Sequence, residues 1–127
     1  MTRRTLATIS AAIEAATGVA LIAVPELVGR VLLGTELTGS GVAVARLAGC
    51  GLLALGLSCW PSGDYAGPES VRALFVYNLL AGLYLGYLRV SGEFLSPVLW
   101  LASALHIVLA VMFAWAIMRS RPSQSLA

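Results

Sequence analysis

"TLATISAAIEAATGVALIAV", residues 5–24, carries a single ionisable side chain, Glu14, within an otherwise largely apolar run. About 20 such residues are enough for an α-helix to cross the hydrocarbon core of a bilayer. A charged side chain in the middle of a span is costly, so such residues usually face the protein interior and often mark functional sites. The stretch therefore predicts a membrane span whose one carboxyl group is buried against neighbouring helices.

The rest of the chain is just as apolar. Of its 127 residues, 59% are hydrophobic and 11% are charged, whereas roughly a quarter of the residues in a soluble domain are charged. These few polar side chains cannot cover a water-exposed surface, so we expect an integral membrane protein whose surroundings are the lipid bilayer. The net charge of +2 is too small to indicate a nucleic-acid partner.

The apolar runs predict an all-α fold. We expect a single four-span transmembrane domain over residues 1–127, built as an antiparallel four-helix bundle with a short interfacial amphipathic helix between spans 1 and 2. The predicted spans are residues 5–24, 39–60, 69–90 and 97–118. All five prolines, at positions 25, 61, 68, 97 and 122, fall at span boundaries, where proline disturbs a helix least.

The short helix is predicted from "PELVGRVLLG", residues 25–34. Its apolar residues recur at helical spacing, which is typical of a helix lying in the membrane interface; they are Leu27, Val28, Val31 and Leu32. Glu26 and Arg30 are four residues apart on the other side, where we expect them to pair.

Arginine is more frequent at one end of the predicted bundle. The end that holds both termini has five arginines and the opposite end has two: Arg3, Arg4, Arg72, Arg119 and Arg121 against Arg30 and Arg89. Because positive charge favours the cytoplasmic side, we expect both termini in the cytoplasm. "MTRR" could instead open a signal peptide, but Glu14 would interrupt its apolar core.

Each predicted span carries one polar side chain at a similar depth, and these are Glu14, Arg46, Asn78 and His106. Each lies on the small-residue face of its helix, and such faces pack against other helices in membranes. We therefore predict a buried polar layer in which Glu14 and Arg46 form an ion pair, with Asn78 and His106 completing the hydrogen bonds. Two uses are open: the layer fixes helix register, or it handles a proton or a ligand.

Tyr77 and Tyr84 lie two turns apart on one face of the third span, so they are candidates for lining a cleft; packing or lipid contact is the alternative. The chain has no nucleophile elbow, Walker loop, HExxH or CxxC motif. We accordingly expect no catalytic residue, no metal site and no cofactor.

The same positions carry a resemblance to a known group. With the glutamate of the first span, "ARLAGCGLLALGLSCW" (residues 45–60), "VYNLLAG" (residues 76–82) and "LWLASALH" (residues 99–106) resemble small, uncharacterised bacterial four-helix membrane proteins that are distantly DoxX-like. The resemblance covers residues 9–109 and implies a four-span bundle in the bacterial inner membrane. It implies no activity. Glu14, Arg46, Asn78 and His106 occupy the recognisable positions of that group.

Three functions are compatible with these features. The first is a non-catalytic accessory or self-associating membrane protein, a homo-oligomer or part of a larger complex, supported by small-residue faces such as Gly41–Ala45–Gly49. The second is a small transporter or binding protein for a lipophilic molecule, a quinone or a lipid, in which Glu14 and His106 titrate. The third, suggested only by the DoxX likeness, is a membrane component of a redox system.

Overall fold

The fold is all-helical and follows the predicted spans closely. A computed structural model describes residues 1–63 and 65–119. Its helices are α1 (Arg3–Ala23), α2 (Pro25–Leu33), α3 (Ser40–Ser58), α4 (Pro68–Val90) and α5 (Val98–Met118). All except α2 are long and apolar enough to cross a membrane, and each of their ends lies within two residues of the predicted boundary. The predicted four-helix transmembrane bundle is confirmed; Arg121 and Pro122 lie outside the described residues.

Glycines bring α1 and α3 into backbone contact. A Cβ atom added at Gly49 would lie 2.7 Å from the carbonyl oxygen of Gly18, and one at Gly56 would lie 2.6 Å from that of Ala11. Neither position has room for a side chain, so the two backbones gain the close dispersion contact that stabilises helix pairs in lipid. The antiparallel pair α1–α3 is therefore one of the two closely packed helix pairs of the bundle.

Helices α4 and α5 form the second unit. The hydroxyl of Ser103 on α5 donates a 2.8 Å hydrogen bond to the carbonyl oxygen of Gly82 on α4. A Cβ atom at Gly82 would meet the Ile107 side chain at 2.8 Å. Small residues thus set the spacing between the helices in both pairs. The two pairs meet mainly through α1, which contacts both α4 and α5.

The two pairs close on each other at only one end. This closed end contains the start of α1, the α3–α4 turn and the end of α5, and its buried residues form one apolar cluster: Leu6, Ala7, Cys59, Ala66, Val71, Leu74, Leu109 and Phe113. The guanidinium of Arg3 also donates a 2.8 Å hydrogen bond to the carbonyl oxygen of Ala116 there. At the opposite, open end, no comparable apolar cluster is formed by the described residues.

Helix α2 lies across the open end. Pro25 begins it directly after α1, and Gly34 ends it with a left-handed φ of 77°, a conformation that glycine adopts without strain. Ser96, in the α4–α5 loop, donates a 2.8 Å hydrogen bond to the carbonyl oxygen of Val31. Arg30 pairs with Glu36 at 2.6 Å rather than with Glu26, so the predicted pair within α2 is wrong.

Replacing Gly49 by alanine should destabilise the bundle, because the added methyl group would collide with the backbone of α1. Overpacking of this kind costs roughly 1–3 kcal/mol. Gly51 is a matched control on the same helix, since an added Cβ would meet nothing within 4 Å. Thermal unfolding in detergent should show a lower midpoint for Gly49→Ala and an unchanged or higher one for Gly51→Ala. Equal midpoints for the two variants would contradict the α1–α3 contact.

Candidate functional site

Asn78 is the centre of a buried hydrogen-bond network that joins three helices. Its side-chain nitrogen donates to the hydroxyl of Ser10 on α1 at 2.9 Å and to the carbonyl oxygen of Leu74 on its own helix at 2.8 Å. A carbonyl oxygen can only accept, so the amide orientation is determined: the nitrogen faces Leu74 and the oxygen faces the other way. That oxygen lies 2.9 Å from Nδ1 of His106 on α5.

The orientation of Asn78 also determines the tautomer of His106. Because the amide oxygen only accepts, Nδ1 of His106 must carry the proton and donate it. In a neutral ring Nε2 is then an acceptor. The described residues provide Nε2 with no hydrogen-bond partner, and it is not among their buried unpaired atoms, while the ring itself lines a cavity. His106 therefore presents a free acceptor to that cavity.

Glu14 lies directly behind this ring. The residue is 1% exposed, and its Oε1 is buried without a hydrogen bond. Nδ1 of His106 is 4.0 Å from Oε1, too far for a hydrogen bond, and the Tyr77 ring packs edge-on against the His106 ring with the ring centroids 5.8 Å apart. Among the described residues, Glu14 has no permanently cationic partner.

The predicted ion pair between Glu14 and Arg46 is not formed. Arg46 is exposed on α3, whereas Glu14 is buried and faces α4 and α5. The contacts of Gly49 with Gly18 and Leu21 fix the α1–α3 register. They place Arg46 level with the last turn of α1, roughly 13 Å along the axis from Glu14. The prediction was wrong because counting from the helix ends underestimated this separation, and because Arg46 flanks the packing face instead of lying on it.

A cavity of about 740 Å³ occupies the open end of the bundle. Its walls come from α1, α2, α4 and α5, with Leu52 contributed by α3. The four apolar residues of α2 expected to face the membrane interface all line it: Leu27, Val28, Val31 and Leu32. Several wall residues are exposed rather than buried, including Leu80, Tyr84 and Leu105. The cavity is therefore an open cleft with α2 along one side.

The polar layer forms the floor of this cleft. Tyr77 and His106 line it directly, and Tyr84 lines its wall. Glu14 and Asn78 lie beneath the floor, while Arg46 is not part of it. The structure thus brings together three of the four polar residues predicted to share a layer.

Three contributors to the site were missed in the sequence. Ser10 receives the hydrogen bond of Asn78, and Thr17 and Ala102 line the cleft. Their spacing carried a usable signal: Ser10 and Thr17 flank Glu14 by four and three residues, and Ala102 precedes His106 by four. Residues at these separations lie on one helix face.

Comparison with known proteins returns no match: no protein family, no curated protein and no solved structure is significantly similar to this chain.

Removing the amide of Asn78 should loosen the contact between α1, α4 and α5. Asn78→Ala deletes the bonds to Ser10 and His106 and leaves the buried Ser10 hydroxyl and Nδ1 of His106 without these partners, which we expect to lower stability by roughly 1–3 kcal/mol. Thr8→Ala is the control, because the Thr8 hydroxyl bonds only the carbonyl oxygen of Arg4 within its own helix. Thermal unfolding in detergent compares the two. A midpoint for Asn78→Ala no lower than that of Thr8→Ala would show that the network is not structural.

Proposed function

We propose that this integral membrane protein binds a small lipophilic molecule in the cleft, with the polar head of the molecule on the floor formed by His106 and Tyr77. The observation that carries the proposal is the cavity of about 740 Å³, which has apolar walls and one polar end. Its volume falls within the roughly 300–1,000 Å³ typical of small-molecule sites. The pattern of apolar walls with a few convergent polar groups is also typical of such sites.

Access from the bilayer supports a lipophilic ligand. Leu80 and Tyr84 on α4 and Leu105 on α5 are more than 40% exposed while they line the cleft. A molecule dissolved among the acyl chains can therefore enter sideways without crossing water. Its apolar part would replace lipid against the walls, and its polar part would meet the polar floor formed by His106 and Tyr77.

The floor supports specificity for a polar head. A purely structural layer would satisfy its hydrogen bonds internally, as Asn78 does. Glu14 and His106 instead each keep one atom without a hydrogen-bond partner in the described part of the chain. Unpaired polar atoms in a low-dielectric environment are costly, and a ligand that pairs with Nε2 of His106, the one of the two that the cleft exposes, gains the corresponding free energy.

Self-association loses much of its original support. The small-residue faces that suggested it are used inside one copy of the chain: Ala45 and Gly49 are buried on α3, and Gly82 packs against α5. We accordingly place ligand binding ahead of an accessory or self-associating role. The DoxX-like and redox interpretations rest on the sequence resemblance alone and stay predictions.

We further propose that the membrane is the bacterial inner membrane and that the termini are cytoplasmic. Arg3, Arg4 and Arg72 lie at the closed end, which supports that orientation. The register between α1 and α3 places Arg46 toward the open end as well. The excess of arginine at the closed end over the open end is therefore smaller than the sequence suggested. Cysteine labelling from either side of intact cells would decide the orientation.

Filling the cleft should abolish binding. Ala102 lines the cavity, so Ala102→Phe should displace a bound molecule, whereas Ala104, two residues along α5 and exposed, offers a matched Ala104→Phe control. Protein would be extracted from native membranes into lipid nanodiscs, and small molecules retained by each variant quantified by mass spectrometry. We expect one compound to be enriched with the wild type and Ala104→Phe and depleted with Ala102→Phe. Identical retained compounds in all three samples would contradict binding in the cleft.

A further inference from the structure

We infer that the head group bound on the floor is a protonated amine; this inference rests on the proposed function and specifies its ligand. The hydrogen-bond donors of Asn78 and His106 are already used within the protein. Both hydrogens of the Asn78 amide are used, by Ser10 and Leu74, and the Nδ1 hydrogen of His106 is used by Asn78. None of these donors is left for a ligand.

Nε2 of His106 faces the cleft unpaired and is fixed as an acceptor. Oε1 of Glu14 is buried without a partner beneath it. The hydroxyl groups of Tyr77 and Thr17, two residues that line the cleft, can act as donor or acceptor and so suit either kind of ligand. A ligand that pairs with Nε2 must therefore donate a hydrogen bond, and a quinone carbonyl cannot.

Charge selects the amine among the donors. The residues that line the cleft include no arginine or lysine. Arg46 is exposed on α3, level with the last turn of α1 and distant from Glu14. The Glu14 carboxylate therefore has no fixed counterion in the described structure. An ammonium group on Nε2 of His106 would lie on the opposite side of the same small ring and would be the counterion that lets the Glu14 carboxyl group carry a charge in this low-dielectric site. A neutral alcohol would donate the hydrogen bond without this attraction.

The walls fit the rest of such a ligand. Tyr77 and Tyr84 present aromatic rings to the cleft, and aromatic faces attract cations. The remaining lining is almost wholly aliphatic: Ile13, Leu21, Leu52, Leu80, Leu85, Leu105 and the apolar face of α2. The chemical class is thus a lipophilic monoamine with one hydrocarbon body and one cationic head.

Equilibrium binding of matched probes in lipid nanodiscs tests the inference. The probes are dodecylamine, dodecanol, dodecanoate and a short-chain quinone, each radiolabelled and corrected for uptake by empty nanodiscs. We expect saturable dodecylamine binding at least about tenfold tighter than that of the other probes, as a charge-assisted hydrogen bond predicts. Glu14→Gln keeps the shape and removes the charge, so it should weaken dodecylamine binding about tenfold and leave dodecanol binding unchanged.

The outcomes separate this inference from the function on which it rests. Saturable binding of dodecanol or the quinone as tight as that of dodecylamine, lost in Ala102→Phe, would overturn the amine but keep the cleft as a lipophilic site. Dodecylamine binding that survives Glu14→Gln undiminished would also overturn it. No saturable binding of any probe would refute the inference for these ligands and count against the cleft. If Glu14→Gln fails to fold, by its unfolding midpoint, the comparison of probes on the wild type still decides the matter.

Discussion

The hydrogen bonds of Asn78 hold three helices together at the level where the packing of the bundle changes. On one side of this level the two helix pairs meet in a continuous apolar cluster, and on the other they leave a cleft. The amide connects α1 through Ser10 and α5 through His106 while bonding its own helix. The Leu74 carbonyl oxygen fixes the orientation of the Asn78 amide. The amide in turn positions the His106 ring and determines that Nδ1 carries its proton.

Small residues explain why the bundle is dense within each pair and hollow between them. Gly18, Gly49 and Gly56 bring α1 and α3 into backbone contact, and Gly82 lets α4 pack closely on the Ile107 side chain of α5. Contacts this close cannot be extended to all four helices at once with the side chains present. The pairs therefore share one closed end, and α2 covers part of the space that remains. The cleft follows from the distribution of glycine as much as from the residues lining it.

Much of this architecture could be predicted from the sequence, because the span signal is strong: long apolar runs separated by proline and arginine locate helix ends within two residues. The depth of Glu14, Asn78 and His106 was also readable from residue counting. The separation of Arg46 from Glu14 could not be predicted in this way, because a shift of one helix along another changes which of their residues lie at the same level. That register is set by the glycine contacts between α1 and α3. Residue spacing within a single helix gives no information about contacts between two helices. The cleft itself depends on how two pairs diverge, and this is a tertiary property.

The protonation of His106 tests most directly whether the floor presents an acceptor, Nε2 of this residue, to the cleft. The chain contains one histidine, so nitrogen-15 NMR of the histidine-labelled protein in lipid bilayers gives an unambiguous signal for each ring nitrogen. With the cleft free of added amine at neutral pH, the account predicts a protonated Nδ1 and an unprotonated Nε2. A proton on Nε2 with none on Nδ1 would mean that the bond to Asn78 is absent or reversed, and the described arrangement of the floor would be wrong.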